Sequence, residues 1–409
     1  MNSAQPTTGS LFDQPRAVWA VAFAAVIAFM GIGLISPILP SVTRTLDATQ
    51  TQTSFLFTSY LAITGLAMFF TSWVSSRIGA RTTMLLGLLV IVVAALLAGF
   101  AGSIEQLILF RAIWGLGNAL FISTALATII SVSAGSAGSA IILYEAALGI
   151  GIAVGPLVGG LLGSIGWRAP FFGAAALMAI ALISLLVFMP GSATRPVHVA
   201  VSAPFRALGN PAILIFALLA FFYNIGFFVL LSYTPYPLGF TALGIGLVFT
   251  GWGISVALTS VLGAPLLTKR FAPRRVLWMT LLAFAVVLAV AGLVVQNTAA
   301  LIVMVVIGGL VIGVVNTVLT ESVMEASDLP RAVASSAYSG VRFLGGAIAP
   351  PVAAALAATF SETVPFLFGA AGAIVAALLV IVFARVLHRA DRRIILPPED
   401  EAEAMTLGQ

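Results

Sequence analysis

Between Ala17 and His388 the sequence is cut by short polar breaks into twelve apolar runs, each long enough to cross a bilayer. A helix rises ~1.5 Å per residue, so about 20 apolar residues span the hydrocarbon. In that solvent every backbone donor and acceptor has to be satisfied inside the segment, and a continuous run of this kind does so as a helix. Residue usage agrees. Of 409 residues, 61% are hydrophobic and 8% charged, where a soluble domain carries roughly 25% charged residues. The expected fold is an all-α membrane protein of twelve transmembrane helices.

The longest polar break, 190–210, divides the chain into two six-helix halves, 17–189 and 211–388, with a short N-terminal segment, 1–16, and an acidic tail, 389–409. The halves repeat one another at an offset of 193–195 residues: "PFFGAAALMAIALISLLVF" from Pro170 matches "PFLFGAAGAIVAALLVIVF" from Pro365, and Tyr144–Pro156 matches Tyr338–Pro350. Parallel six-helix repeats place a shared site between the halves near the midplane and imply alternating access. With the N-terminus inside, fourteen of the eighteen Lys and Arg residues fall on the cytoplasmic side and only Arg44 and Arg168 outside. The positive-inside bias therefore puts both termini in the cytoplasm.

Several classes of function drop out. The chain has no cysteine, which removes thiolate metal sites, and its two histidines, His198 and His388, sit among basic residues at the ends of apolar runs. No nucleotide loop or nucleophile–base set is present, so no cofactor, metal or enzymatic activity is expected. The net charge of +5 resides in loops that orient the protein and is not a nucleic-acid footprint.

An ionisable group inside a span is a functional candidate because its desolvation needs compensation. Four qualify: Arg111, Glu145, Glu321 and Arg342. Glu145 offers a carboxyl that can take up and release a proton, or alternatively one bonded within a helix interface. Arg111 can tune a neighbouring acid or bind an anionic group; a structural alternative has it donating to carbonyls or to Tyr60. Arg342, level with Asn316, and Glu321 read as gating or structural, with an Arg342–Glu321 pair possible but stretched. Tyr60, Trp114, Asn118, Tyr223, Asn224, Phe227 and Asn316 are candidates for the wall of a substrate cavity, apolar with a few polar groups. Gly151, Gly155, Gly159 and Gly163 recur every four residues on one helix face, where small residues let backbones approach. Pro156 beside them bends the helix and offers a compliant contact.

The segment "GIAVGPLVGG" (Gly151–Gly160) resembles the fifth-helix antiporter signature of the major facilitator superfamily, as found in its drug:proton antiporters. "RAIWGLG" at Arg111 resembles the fourth-helix motif of that family, and "SWVSSRIGAR" resembles its loop between helices two and three, keeping Arg77, Gly79 and Arg81. Ser76 stands where that loop usually has aspartate, and Ser36 where many relatives carry an acid. The resemblance implies proton coupling at Arg111, with the buried carboxyl of Glu145 as the coupling acid, and gating or structural roles for Arg77, Arg81, Gly151, Gly155, Pro156 and Gly159. It also implies proton-driven export of small amphipathic compounds, as by multidrug efflux antiporters, by a monomer in the lipid bilayer of the cytoplasmic (inner) membrane. The alternatives are export of one native metabolite, such as a siderophore or sugar, and an uncoupled facilitator.

Overall fold

A computed structural model describes residues 14–133, 137–189, 199–326, 329 and 331–387; for 137–142, 145, 331 and 332 it describes the backbone alone. It contains twelve helices long and apolar enough to cross a membrane. The first, α1 (Arg16–Gly33), continues through a 3-10 turn (Ser36–Ile38) into a short helix (Leu39–Thr45). The rest of the first half is α2 (Gln50–Ile78), α3 (Ala80–Gly99), α4 (Ile104–Val132), α5 (Ala137–Gly163) and α6 (Ala169–Phe188). The second half is α7 (Pro211–Tyr233), α8 (Ala242–Leu258), α9 (Pro273–Leu293), α10 (Thr298–Glu325), α11 (Arg331–Thr359) and α12 (Val364–Val382). Beyond Leu258, α8 widens into a π turn (Thr259–Gly263) and resumes as Ala264–Thr268.

Local chemistry sets the helix ends. Thr49 and Gln52 form a reciprocal capping box at the start of α2, and Ser103, Asn210 and Asn297 each accept from a first-turn amide of α4, α7 and α10. Such caps satisfy amides that have no partner within the helix. Gly79, at φ +83°, makes the tight turn from α2 into α3, a conformation that costs other residues more than glycine.

The two halves pack alike. The pairs α1/α5, α2/α4, α3/α4 and α3/α6 are matched by α7/α11, α8/α10, α9/α10 and α9/α12. Large apolar side chains such as Leu89, Ile183, Val286 and Leu378 point outward from α3, α6, α9 and α12, as helices solvated by lipid require. Two seams join the halves, α5 against α8 and α2 against α11. The break at 190–210 is more than a loop: it includes a short helix (Ala203–Ala207) whose Phe205 stacks on Phe69 of α2, ring centres 5.0 Å apart. Ala207 packs in a buried cluster with Val333, Ala334 and Ala337 of α11.

Candidate functional site

Between the halves lies a cavity enclosing about 60 Å³. Its walls come from related positions of the repeat: Phe29 and Ile32 face the site from α1 as Asn224 and Phe227 do from α7. Tyr144 pairs with Tyr338 and Leu148 with Arg342 in the same way, on α5 and α11. The surface is chiefly aromatic and aliphatic, with Asn224, Thr320, Ser335, Ser339 and Arg342 as its polar points. On α5 and α11 its wall residues run from the middle of each helix towards the end at which it begins, and on α1 and α7 they lie at mid-span.

Of the expected cavity residues, Asn224 and Phe227 line this space. Tyr60, Trp114, Asn118, Tyr223 and Asn316 are outside its lining and buried. Tyr223 and Asn316 instead support Arg342: Arg342 Nη2 donates to Asn316 Oδ1 at 3.1 Å, and the Tyr223 hydroxyl donates to the same oxygen. Asn224 Nδ2 donates to the Arg342 carbonyl at 2.8 Å. Residues of α7, α10 and α11 are thereby tied at one point. The stretched Arg342–Glu321 pair is not found among the described residues; Arg342 reaches Asn316, more than a helical turn nearer the midplane. Glu321 is half-buried on α10, next to Thr320 of the wall. The backbone of Glu145 lies on α5, one residue beyond Tyr144; its side chain lies outside the described residues.

Arg111 is fully buried on α4. Its guanidinium carbon lies 4.3 Å from the centre of the Tyr60 ring and 4.8 Å from that of Trp114, and Nε donates to the Leu56 carbonyl at 3.2 Å. The glycines of the same motif hold neighbouring helices close. A Cβ on Gly115 would lie 2.3 Å from the Tyr60 carbonyl oxygen of α2, and one on Gly117 would lie 2.6 Å from that of Gly87 on α3. The loop arginines are less central. Arg81 Nη2 donates to the Leu186 carbonyl at the end of α6, at 3.0 Å, and Arg77 is exposed over the Trp73 ring.

The glycine stripe packs within its own half. Cβ atoms on Gly151, Gly155 and Gly159 would fall 2.4–2.5 Å from the carbonyl oxygens of Val26, Met30 and Leu34 on α1. Pro156 abuts Gly33, where a Cβ would lie 2.8 Å from its ring. A second small-residue face of α5 meets α8: Gly160 lies on Ala242 and Gly246, Ala153 on Gly253, and Gly149 on Ala257. Stripe spacing alone does not reveal this second face. At the far end of the bundle Tyr236 bonds Thr53 at 2.8 Å and Thr43 at 3.3 Å. It thus links the end of α7 to α1 and α2.

The Major Facilitator Superfamily profile matches residues 21–240 and 212–405. The chain belongs to the Major Facilitator Superfamily. Membership makes it a multi-pass membrane transporter of small organic substrates and not an enzyme. It is 50% identical to the multidrug efflux protein YfmO of Bacillus subtilis over 372 residues, 91% of this chain and 94% of that one. Multidrug resistance protein 1 of the same organism is 28% identical over 58% of this chain and 62% of its own. Among solved structures, a D-xylose–proton symporter superposes with a TM-score of 0.75 at 15% identity, over 89% and 96% of the two chains. The human organic anion transporter MFSD10 gives 0.70 at 16%, over 89% and 99%. At such identities these two show the fold alone. Within this superfamily architecture, the wall residues Phe29, Ile32, Leu126 and Tyr338 had a usable sequence signal: each lies one repeat offset from another wall residue.

Proposed function

We propose that this transporter exports small amphipathic or hydrophobic compounds in exchange for protons, by alternating access, from the cytoplasmic membrane with both termini inside. The observation that carries the reading is the cavity itself, built symmetrically from both halves with apolar walls and few polar groups. Such walls favour organic ligands through burial and orient them with a handful of hydrogen bonds. The 50% identical relative is named a multidrug efflux protein, which supports the same substrate class.

Space constrains the mechanism. Drug-sized ligands occupy pockets of about 300–1,000 Å³, so a cavity of about 60 Å³ takes one only after its walls part. The Gly160 end of the α5–α8 contact and the Tyr236–Thr53–Thr43 cluster hold the far end together. Loading therefore proceeds from the end nearer the cavity, which the arginine bias assigns to the cytoplasm. The halves 17–189 and 211–388 then rock as two bodies of a monomer joined by 190–210. Protonation of Glu145, tuned by Arg111, accompanies release outside, and return of the proton inward resets the cycle. Arg77, Arg81, Arg342 and Glu321 serve structure and gating.

The test is proton release from purified protein in detergent on adding cationic and neutral dyes, in wild type and Glu145→Gln. Dye-dependent release that disappears in the variant supports exchange through Glu145. Release unchanged in the variant removes Glu145 from the coupling role, and dye export that survives collapse of the proton gradient removes proton exchange altogether.

A further inference from the structure

Arg111 has an environment that proton coupling does not account for. Its guanidinium is fully buried, yet Nη1 and Nη2 have no hydrogen-bond partner. A buried, permanently charged group left unpaired is strongly unfavourable. On the same face of α4, Trp114 Nε1 and both amide atoms of Asn118 are also buried and unpartnered, as is the Tyr60 hydroxyl of α2. Residues 111, 114 and 118 stand at helical spacing, so these groups form one column.

The second half supplies an internal control. Gly309 lies under the Trp252 carbonyl, where a Cβ would be 2.4 Å from the oxygen, just as Gly115 lies 2.3 Å under that of Tyr60. Around this equivalent joint, Val305 stands for Arg111, Gly308 for Trp114 and Ile312 for Asn118, and Val305 and Ile312 are fully buried. The same helix crossing thus forms with no polar side chain at those three positions. Packing does not require the column.

We propose that Arg111, with Tyr60, Trp114 and Asn118, binds a monovalent anionic group inside the first half: a halide ion or the carboxylate of an organic molecule. The two rings lie against the guanidinium and Nε is engaged, so the Nη donors remain for a ligand arriving along the edge. That fork matches a carboxylate or a single halide. Ser36, in the turn after α1, is also buried with its hydroxyl unpartnered. The site stands whether or not export is coupled to protons.

Two measurements on the full chain in detergent test it. The first is Tm against sodium chloride, bromide or benzoate, with sodium sulfate as the reference at equal ionic strength. A saturable rise of about 1–2 °C at tenfold excess over Kd is expected for wild type, and none for Arg111→Met. The second is quenching of tryptophan fluorescence by iodide against caesium. Iodide should saturably quench a component that caesium leaves untouched and that disappears in Trp114→Phe, a readout that does not depend on Arg111→Met folding. A response to halides marks a resident ion, and a response to benzoate alone marks a substrate group. A wild type indifferent to all these anions, or a response retained in Arg111→Met, overturns the proposal.

Discussion

The two seams that join the halves are equivalent in the repeat but not in construction. Along α5–α8 backbone meets backbone: a Cβ on Gly253 would lie 2.3 Å from Ala153 Cα, and one on Gly246 would lie 2.6 Å from the Pro156 carbonyl oxygen. Among the described residues no side-chain hydrogen bond crosses it. Along α2–α11, Gly65 and Gly340 also meet, but Phe69 and Leu344 fill the margins, and Thr58 donates to the Ala347 carbonyl at 2.8 Å. Phe205 then clasps this seam from the 203–207 helix. Bare glycine contact depends on shape and slides or parts as a unit, whereas interlocked side chains and a hydrogen bond resist both. The contrast makes α2–α11 the fastened side of the molecule and α5–α8 the side that opens.

The largest effect should come from locking the opening side. A Cβ added at Gly149 would lie 3.2 Å from the Ala257 Cβ, near the spacing of a disulfide, and the chain has no cysteine of its own. Gly149→Cys with Ala257→Cys should cross-link on mild oxidation and reduce dye export at least tenfold, with recovery in reductant. Cross-linking without loss of export would end the assignment of α5–α8 as the moving seam. Next comes Gly253→Ala, whose methyl meets backbone that cannot rotate away. Overpacking of this kind costs about 1–3 kcal/mol, and Tm and export should both fall. Gly340→Ala meets the Phe69 ring at 2.8 Å and the Gly65 carbonyl at 3.0 Å; the ring can turn, so its loss in Tm should be smaller. Equal losses at the two glycines would erase the contrast. The smallest effects belong to Thr58→Val and Tyr236→Phe, each removing hydroxyl contacts worth about 0.6 kcal/mol in a membrane protein. Both should leave Tm nearly unchanged, and Tyr236→Phe should raise the rate of outward opening, seen as faster labelling of a cysteine placed at Thr43.

How much of this could be read in the sequence varied with the kind of signal. The spans were legible because hydropathy in a bilayer is an all-or-none demand, and the repeat because Tyr144–Pro156 and Tyr338–Pro350 share their spacing. Arg111 stood out for the same reason as any charge in hydrocarbon. Tyr60 could be named beside it because the two share a depth, but the Trp114 ring contact escaped notice, since sequence gives depth along a helix and not how a side chain turns at that depth. The stripe at Gly151, Gly155 and Gly159 announced a thin face without naming α1 as what lies against it. The face that meets α8 escaped notice because Gly149, Ala153 and Gly160 keep a looser spacing among many other small residues. Tyr223 and Asn316 were expected at the cavity wall; being polar and near the midplane fits equally well with propping Arg342 from behind, and only packing separates the two.

The π turn at Thr259–Gly263 gives α8 two successive clients. Before it, Gly246, Gly253 and Ala257 lie against α5; within it, Ser260 donates to the Gly313 carbonyl of α10 at 3.2 Å, and Thr317 reaches back to the Ser260 carbonyl. One added residue in a helical turn advances everything downstream by about 100°. A single rod can therefore show one flank to the opposite half and the adjoining flank to its own without leaving the bilayer. Torque arriving from α5 is handed to α10, whose next turns carry Asn316, which props Arg342, and Thr320 of the cavity wall, so a twist at the seam becomes a displacement of that wall.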